Sequence, residues 1–227
     1  MPGFGVDLTA PNAIYAPVGH AMRARLKWNC EDAMFIQTAQ TPNPATLKFL
    51  PGRAVLDGAD PVDFPGAAAA EGVSPLAGAL FEIEGVTAVF LGQDFISVSK
   101  ADDREWYVLK PSILGVIMQH FTAGRPVLAG SGSTVGGQTS GAAEAQYDPE
   151  DEAVVGQIRE LLETRVRPAV AQDGGDIVFH GFKQGVVFLT MRGACAGCPS
   201  STATLKMGIE NMLRHYIPEV TEVRATA

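Results

Sequence analysis

A polar, glycine-rich stretch at residues 129–147 restricts most strongly how this 227-residue chain can fold. Glycine, serine and threonine predominate between Ala129 and Gly141. A segment of this composition cannot bury enough apolar surface to join a core, and Gly/Ser-rich segments behave as flexible coils. We therefore expect two small domains that are joined by a flexible linker and reorient freely about it.

The composition excludes several classes of function. A hydrophobic content of 46% with 19% charged residues is ordinary for a globular protein, and no apolar run approaches the roughly 20 residues of a membrane span. The net charge of -8 argues against a nucleic-acid partner, which requires clustered Lys and Arg. Three cysteines cannot all pair in disulfides, so their odd number points to a reducing compartment.

The second half of the chain has the pattern of a compact α-β-β-α-β domain. Apolar residues at helical spacing follow Asp148, and Pro168 is expected to kink or end that helix. Strand-like runs at residues 177–182 and 186–191 predict a hairpin. A final amphipathic helix precedes a short strand at residues 220–223, and this crossover allows parallel pairing.

The first half mixes strands and helices as well, so the fold class is α/β (α+β). Strand-like runs occupy residues 35–37 and 46–50, and residues 57–72 look like a loop. Ser74 and Pro75 predict a helix start before a hairpin at residues 86–99. The last helical pattern spans residues 105–121, and Pro111 within it predicts a break.

A pair of cysteines, Cys195 and Cys198, lies in a Gly/Ala-rich turn between a predicted strand and a predicted helix, outside the apolar core runs. Pro199 and the serines after it place Cys198 near the first N–H groups of the helix, whose dipole favours thiolate. The spacing alone fits a dithiol redox centre, half of a soft-metal or iron-sulfur site, or two buried thiols. The small residues around the pair favour a bound anion or cluster.

These residues resemble a known family. Residues 154–223 are similar to the C-terminal domain of the NifU-like (Nfu) iron-sulfur cluster carriers, and residues 34–49 resemble the start of that family's N-terminal domain. We therefore expect an Nfu N-terminal domain at 34–128, the linker at 129–147 and a NifU-like domain at 148–227. The motifs that carry the resemblance are Asp173-Gly174-Gly175-Asp176-Ile177, Gly193-Ala194-Cys195-Ala196-Gly197-Cys198-Pro199-Ser200-Ser201, Ile217-Pro218-Glu219-Val220, Met34-Phe35-Ile36-Gln37-Thr38 and Thr41-Pro42-Asn43-Pro44.

Two further parts of the chain are interpreted without a binding role. The turn from Asp173 to Asp176 predicts a helix stop rather than a cation site, because two acids alone do not make a calcium loop. Residues 1–33 fit a mis-assigned start, a targeting segment or a tail, and their acids and lack of serine argue against targeting. Cys30 within them is interpreted as incidental. We expect a cytoplasmic location in a bacterium or the mitochondrial matrix in a eukaryote.

Iron-sulfur clusters are commonly held by four thiolates, and this domain offers only Cys195 and Cys198. The simplest source of the other two is a second chain. The resemblance implies a 4Fe-4S cluster, rather than 2Fe-2S, that bridges two chains. It further implies a non-enzymatic protein that takes the cluster from the assembly machinery and delivers it to apo-proteins.

The alternatives are a dithiol oxidoreductase and a structural zinc site completed by His180, His215 or a second chain. The N-terminal domain, which lacks cysteine, is expected to provide recognition, or otherwise solubility or dimer stability.

Overall fold

The computed structural model describes residues 35–130, 147–196 and 199–226, without the side chains of residues 199–201. Most of the predicted linker, the extension with Cys30, and Cys198 therefore lie outside the described residues. Among the helices that are described, none has both the length and the apolar character needed to cross a bilayer.

The described part of the N-terminal domain is one antiparallel sheet with three helices. The strand order is β1-β2-β5-β4-β3, and every pair of neighbours is antiparallel. The strands are β1 Gln37–Gln40, β2 Thr46–Leu50, β3 Val62–Phe64, β4 Val86–Leu91 and β5 Ile96–Lys100. The helices are α1 Ala67–Ala70, α2 Pro75–Phe81 and α3 Trp106–Thr122.

Apolar residues of this sheet and of α2 and α3 form one core. Phe49, Val98 and Ile113 belong to it and are completely buried. Each such side chain stabilises the fold by roughly 1.5–3 kcal/mol through its removal from water. The core thus gives the N-terminal domain a hydrophobic centre of its own.

The predictions of helices and strands in the N-terminal domain are confirmed in some places and wrong in others. The predicted helix start is confirmed, because the Ser74 hydroxyl accepts a hydrogen bond from Ala77 N at 3.1 Å and Pro75 opens the helix. The predicted hairpin is confirmed as β4 and β5. The predicted break at Pro111 is wrong: α3 is continuous there, and the carbonyl that Pro111 leaves without a donor belongs to Tyr107, which is 79% exposed. The expected loop at 57–72 contains β3 and α1.

The C-terminal domain has the predicted α-β-β-α-β order. Its three described strands pair in the order β6-β7-β8, and the β7–β8 pair is parallel, which confirms the crossover through the last helix. The predicted irregularity near Pro168 is a π-helical turn at Leu162–Val166, after which the helix continues. The remaining elements are a 3₁₀ turn at Pro149–Asp151, α4 Glu152–Leu161, α5 Arg167–Gln172, β6 Gly175–Lys183, β7 Val186–Gly193, α6 Pro199–Tyr216 and β8 Glu222–Ala225.

The register of the β6–β7 hairpin positions the start of the cysteine turn. Gln184 and Gly185 connect the strands with φ angles of 51° and 80°, the left-handed conformation of a tight two-residue hairpin turn. An irregularity between Phe179 and Gly181 shifts the register, so that Gly175 pairs with Gly193. The end of β7 thereby lies beside the α5–β6 turn.

The two domains contact one another in this structure. Lys48 Nζ in β2 donates to Ala171 O at 2.7 Å, and Ser97 Oγ in β5 donates to Gly174 O at 2.6 Å. The free reorientation that we expected from the composition of the linker stays a prediction, while these contacts hold the two domains together in this structure. The contacts join buried polar groups that lie far apart in sequence, which linker composition cannot reveal.

Candidate functional site

Cys195 lies in the turn between β7 and α6, and hydrogen bonds fix this turn on both sides. Ala194 N donates to Gly174 O at 3.1 Å, which joins the turn to the end of α5. Ala196 N donates to Gly193 O at 3.0 Å within the turn. The Thr202 hydroxyl of α6 donates to Cys195 O at 2.9 Å. The backbone around the thiol is thus attached to three elements.

The side chain of Cys195 is part of the C-terminal core. Only 5% of the residue is exposed, and it belongs to the same buried cluster as Val170 and Ile209. A Cβ on Gly175 would lie 2.6 Å from Cys195 Sγ, so glycine is required there for space. The expectation that this cysteine lies outside the core is wrong, because the β6–β7 pairing brings Gly175 against the sulfur.

Burial controls the protonation of this thiol. Desolvation, with smaller effects from Asp173 and Asp176, raises the pKa of Cys195 to about 12. The thiol is therefore neutral at pH 7. Because thiolate is the form that binds metal, binding of a metal or cluster here must displace a proton and is opposed by burial.

A cavity of about 580 Å³ opens beside Cys195. It lies among α5, α6, the π-helical turn and the cysteine turn, with one residue, Pro42, contributed by the N-terminal domain. Its apolar lining includes Val166, Val170, Leu205, Ile209 and Met212. The thiol thus borders a mainly apolar space rather than open solvent.

The turn from Asp173 to Asp176 is structural. Asp173 ends α5, and Gly174 adopts a φ of 82°, which confirms the predicted helix stop. Arg167 Nε and Nη2 donate to the two Asp176 carboxylate oxygens at 2.8 and 3.0 Å. The Asp176 carboxylate is thus engaged by a guanidinium rather than available to a cation.

The histidines that we considered as zinc ligands do not join Cys195. His180 Nε2 lies 2.7 Å from Thr190 Oγ1 in the hairpin, and His215 stacks edge-on against Tyr216. His215 is also near the far end of α6, about 24 Å along the helix axis from Pro199. Among the described residues, no group of three or more His, Cys, Asp or Glu side chains could hold a metal ion.

Two polar residues of the N-terminal domain contact the backbone of the cysteine turn, and neither was predicted to belong to the site. Gly193 N donates to Asp63 Oδ1 at 3.4 Å, and Asn43 Nδ2 donates to Ala196 O at 3.4 Å. Burial raises the pKa of Asp63, while the Gly193 N–H and Arg192 oppose that rise. Thr202 and Gly175 were also not recognised as parts of the site. Gly175 stands in a motif that we had used for the family resemblance and interpreted as a helix stop, without assigning it a contact with Cys195.

Comparisons with known proteins cover both domains. Residues 36–124 match the model described as "Scaffold protein Nfu/NifU N terminal", and residues 158–224 match "NifU-like domain". Three relatives are each named "NFU1 iron-sulfur cluster scaffold homolog, mitochondrial". The relative from Drosophila ananassae is 50% identical over 84% of this chain and 63% of its own length.

The relative from Drosophila sechellia is 48% identical over 89% of this chain and 68% of its own length. That from Drosophila persimilis is 46% identical over 94% of this chain and 73% of its own length. The chain therefore spans just under two thirds of the first of these relatives and somewhat more of the other two. The chain matches the models of both Nfu domains and is 48% and 46% identical to these two relatives over more than two thirds of their length. It therefore belongs to the Nfu family.

Proposed function

We propose that this protein is an iron-sulfur cluster scaffold that receives a 4Fe-4S cluster and delivers it to apo-proteins. Membership of the Nfu family and the scaffold names of its relatives support this role. The structural observation that supports this role most is the position of Cys195. Its thiol, a soft metal ligand when deprotonated, lies in the turn between Gly193 at the end of β7 and the start of α6. The cluster is the cargo of the protein rather than a resident cofactor.

The proposed ligands are Cys195 and Cys198 of two chains. The sequence has three cysteines, and the third, Cys30, lies far from this pair in the N-terminal extension. One chain therefore supplies two of the four thiolates that a cluster commonly requires. A cluster that bridges two chains satisfies the count, and it links the oligomeric state of the protein to its cargo.

The state of Cys195 favours transient binding. Its thiol is buried and neutral, so the free energy of cluster binding is reduced by the cost of removing a proton and exposing the sulfur. A site that binds against this cost holds its cargo less tightly than a preformed thiolate site. Ready release is the property that delivery requires.

The alternative functions have less support. A dithiol oxidoreductase needs a nucleophilic thiolate, whereas burial raises the pKa of Cys195. Structural zinc would need further ligands, and neither His180 nor His215 is placed beside Cys195. We therefore propose a non-enzymatic role.

The proposed partners and location follow from the relatives. A scaffold takes its cluster from assembly proteins and gives it to apo iron-sulfur proteins. The relatives are named mitochondrial, which supports the mitochondrial matrix over the bacterial cytoplasm that we first expected. We propose the matrix as the place where this chain acts.

Anaerobic reconstitution of the full chain with iron and sulfide tests the proposal. We expect a brown protein with charge-transfer absorption that restores activity to an apo 4Fe-4S enzyme. Cys195→Ala and Cys198→Ala should lose the absorption, while Cys30→Ala serves as the matched cysteine control and should keep it. A colourless protein that binds only zinc, or one that reduces insulin disulfides, would contradict the proposal.

A further inference from the structure

The N-terminal sheet contacts the region of Cys195 through a set of residues that we call the clamp. Its members come from β2, β3, β4, β5 and the β1–β2 connection, and their contacts lie on both sides of the thiol in sequence. The clamp consists of Asn43, Lys48, Asp63, Phe90 and Ser97.

Lys48 provides the only charged donor described in the clamp. Its ammonium donates to Ala171 O at 2.7 Å and to Gln172 O at 3.3 Å, at the C-terminal end of α5. A cation is favoured there because the helix dipole is negative at its C-terminal end. The same ammonium lies 4.2 Å from the centre of the Phe95 ring, and the residue is 8% exposed. This buried contact links the sheet to α5.

Ser97 contacts the carbonyl that also holds the cysteine turn. Its hydroxyl donates to Gly174 O at 2.6 Å, and Gly174 O accepts the Ala194 N–H as well. Ser97 is 1% exposed, so loss of this bond inside the contact would leave a buried polar group unpaired. One carbonyl therefore couples the N-terminal domain to the residue that precedes Cys195.

Asp63, Phe90 and Asn43 complete the contact. A Cβ on Gly193 would lie 2.8 Å from Phe90 Cγ, so the backbone before the thiol is packed directly against this ring. Asp63 and Asn43 bond to Gly193 N and Ala196 O at 3.4 Å, which is long for a hydrogen bond and adds less. These contacts enclose the turn from Gly193 to Ala196.

We propose that the cluster-free chain rests in a closed state, in which the clamp holds the cysteine turn, and that the clamp must open before a second chain can share a cluster. The inference rests on the proposed function. Its basis is that the Cys195 side chain is buried in the C-terminal core at 5% exposure, while the N-terminal domain contacts the backbone on both sides of its turn, so the turn is held and cannot move to present the sulfur to a second chain. The N-terminal domain thereby controls access to the site.

Charge reversal at Lys48 tests the clamp without iron or sulfide. Lys48→Glu puts a negative charge against the α5 carbonyls and near Asp173. Lys100→Glu is the matched control, because it makes the same charge change in the same sheet and its described bond stays within the N-terminal domain. Iodoacetamide labelling with peptide mapping gives the rate at Cys195 itself. We expect Lys48→Glu to raise this rate about tenfold over the control, the scale of one lost charge-assisted hydrogen bond.

Tumbling of the wild-type chain gives a second, independent test. ¹⁵N relaxation of the cluster-free protein should report one rotational correlation time for both domains, and Lys48→Glu should report two. If Lys48→Glu does not fold, Ser97→Ala takes its place, with a smaller rise in labelling. Equal Cys195 labelling in the variant and in Lys100→Glu would overturn the proposal, as would independent tumbling of the wild-type domains. Failed reconstitution would instead count against the scaffold function alone.

Discussion

The chemistry of the site depends on the environment of one sulfur. Cys195 precedes a helix, a position at which the dipole stabilises thiolate, but it is buried among apolar residues. Desolvation is the largest influence and raises its pKa to about 12. The burial of the side chain, rather than its position before a helix, therefore determines the resting protonation state of this thiol.

This raised pKa predicts how stability depends on pH. The folded state keeps the proton, whereas an unfolded cysteine loses it above pH about 8.5, so the stabilisation is complete below that pH. It is lost as the pH rises toward about 12. We expect Cys195 to reduce the free energy of unfolding by at most about 1.4 kcal/mol per pH unit in this range. Urea unfolding of the reduced wild type and of Cys195→Ala at pH 8, 9 and 10 measures the difference, and parallel pH profiles would contradict it.

His120 predicts the opposite pH dependence in the N-terminal domain. It is fully buried in α3, and neither ring nitrogen makes a hydrogen bond of ordinary geometry among the described residues, although backbone groups of Arg125 and Pro126 lie close enough to oppose the shift of its pKa. Burial, then Arg125, lowers the pKa of His120. Stability should therefore be lost as the pH falls below the unfolded pKa of about 6.5, where the unfolded state gains a proton.

His120→Leu should raise the free energy of unfolding by about 1–3 kcal/mol, because it removes buried polar atoms without partners. It should also reduce the loss of stability between pH 7 and pH 5. His215→Leu is the control, since His215 is exposed and the change should stay within about 0.5 kcal/mol. Urea unfolding followed by circular dichroism measures both variants. A destabilised His120→Leu would show that the ring has partners after all.

Helices and strands differ in how far they could be predicted. The Ser74 cap and the β4–β5 hairpin follow from local residues, because capping and short turns depend on neighbours in sequence. The predicted break at Pro111 is wrong because the hydrogen bond that proline cannot make would go to Tyr107, a residue that is 79% exposed. Counting outward from the Gln184-Gly185 turn pairs Gly175 with Ala194, but the bulge near His180 makes the partner Gly193. Single-residue register shifts of this kind leave no clear periodic signal.

The connection between α5 and β6 gives a test at the level of elements. Asp176, whose side chain is 8% exposed, accepts two bonds from Arg167, whereas Glu163 contacts the same guanidinium from an exposed position. We expect Asp176→Ala to destabilise the protein by about 2 kcal/mol, because it leaves a partly buried guanidinium without its main partner. Glu163→Ala should cost less than about 0.5 kcal/mol. Equal effects in chemical denaturation would contradict the assigned roles.

For the whole molecule, the sequence was sufficient for the two-domain order and the family, because both domains carry recognisable motifs. It was insufficient for the docking of the domains. The clamp contacts join residues more than 70 positions apart, such as Ser97 to Gly174, and none lies in a motif that suggests its partner. Burial of Cys195 was missed for the same reason, since it depends on the position of Gly175 in space.

Removal of the N-terminal domain should separate assembly from delivery. We expect a fragment of residues 148–227 to assemble a cluster, because both proposed ligands remain, but to transfer it more slowly to at least some apo-proteins. Transfer rates for the fragment and the full chain, measured with the same apo-enzymes, check this expectation. If the fragment and the full chain transferred the cluster at equal rates to every target, the proposed recognition role of the N-terminal domain would be wrong. A role in solubility or dimer stability would then be left for that domain.

Native mass spectrometry of the reconstituted full chain, with iron and sulfide analysis, tests most directly the proposal that two chains share one cluster. Because each chain is proposed to supply two thiolates, we expect a dimer with one 4Fe-4S cluster per two chains. Cys30→Ala should give the same mass, whereas Cys195→Ala and Cys198→Ala should remain without cluster while circular dichroism shows a folded protein. A monomer that carries a complete 4Fe-4S cluster, or loss of the cluster in Cys30→Ala, would contradict the proposed ligand set.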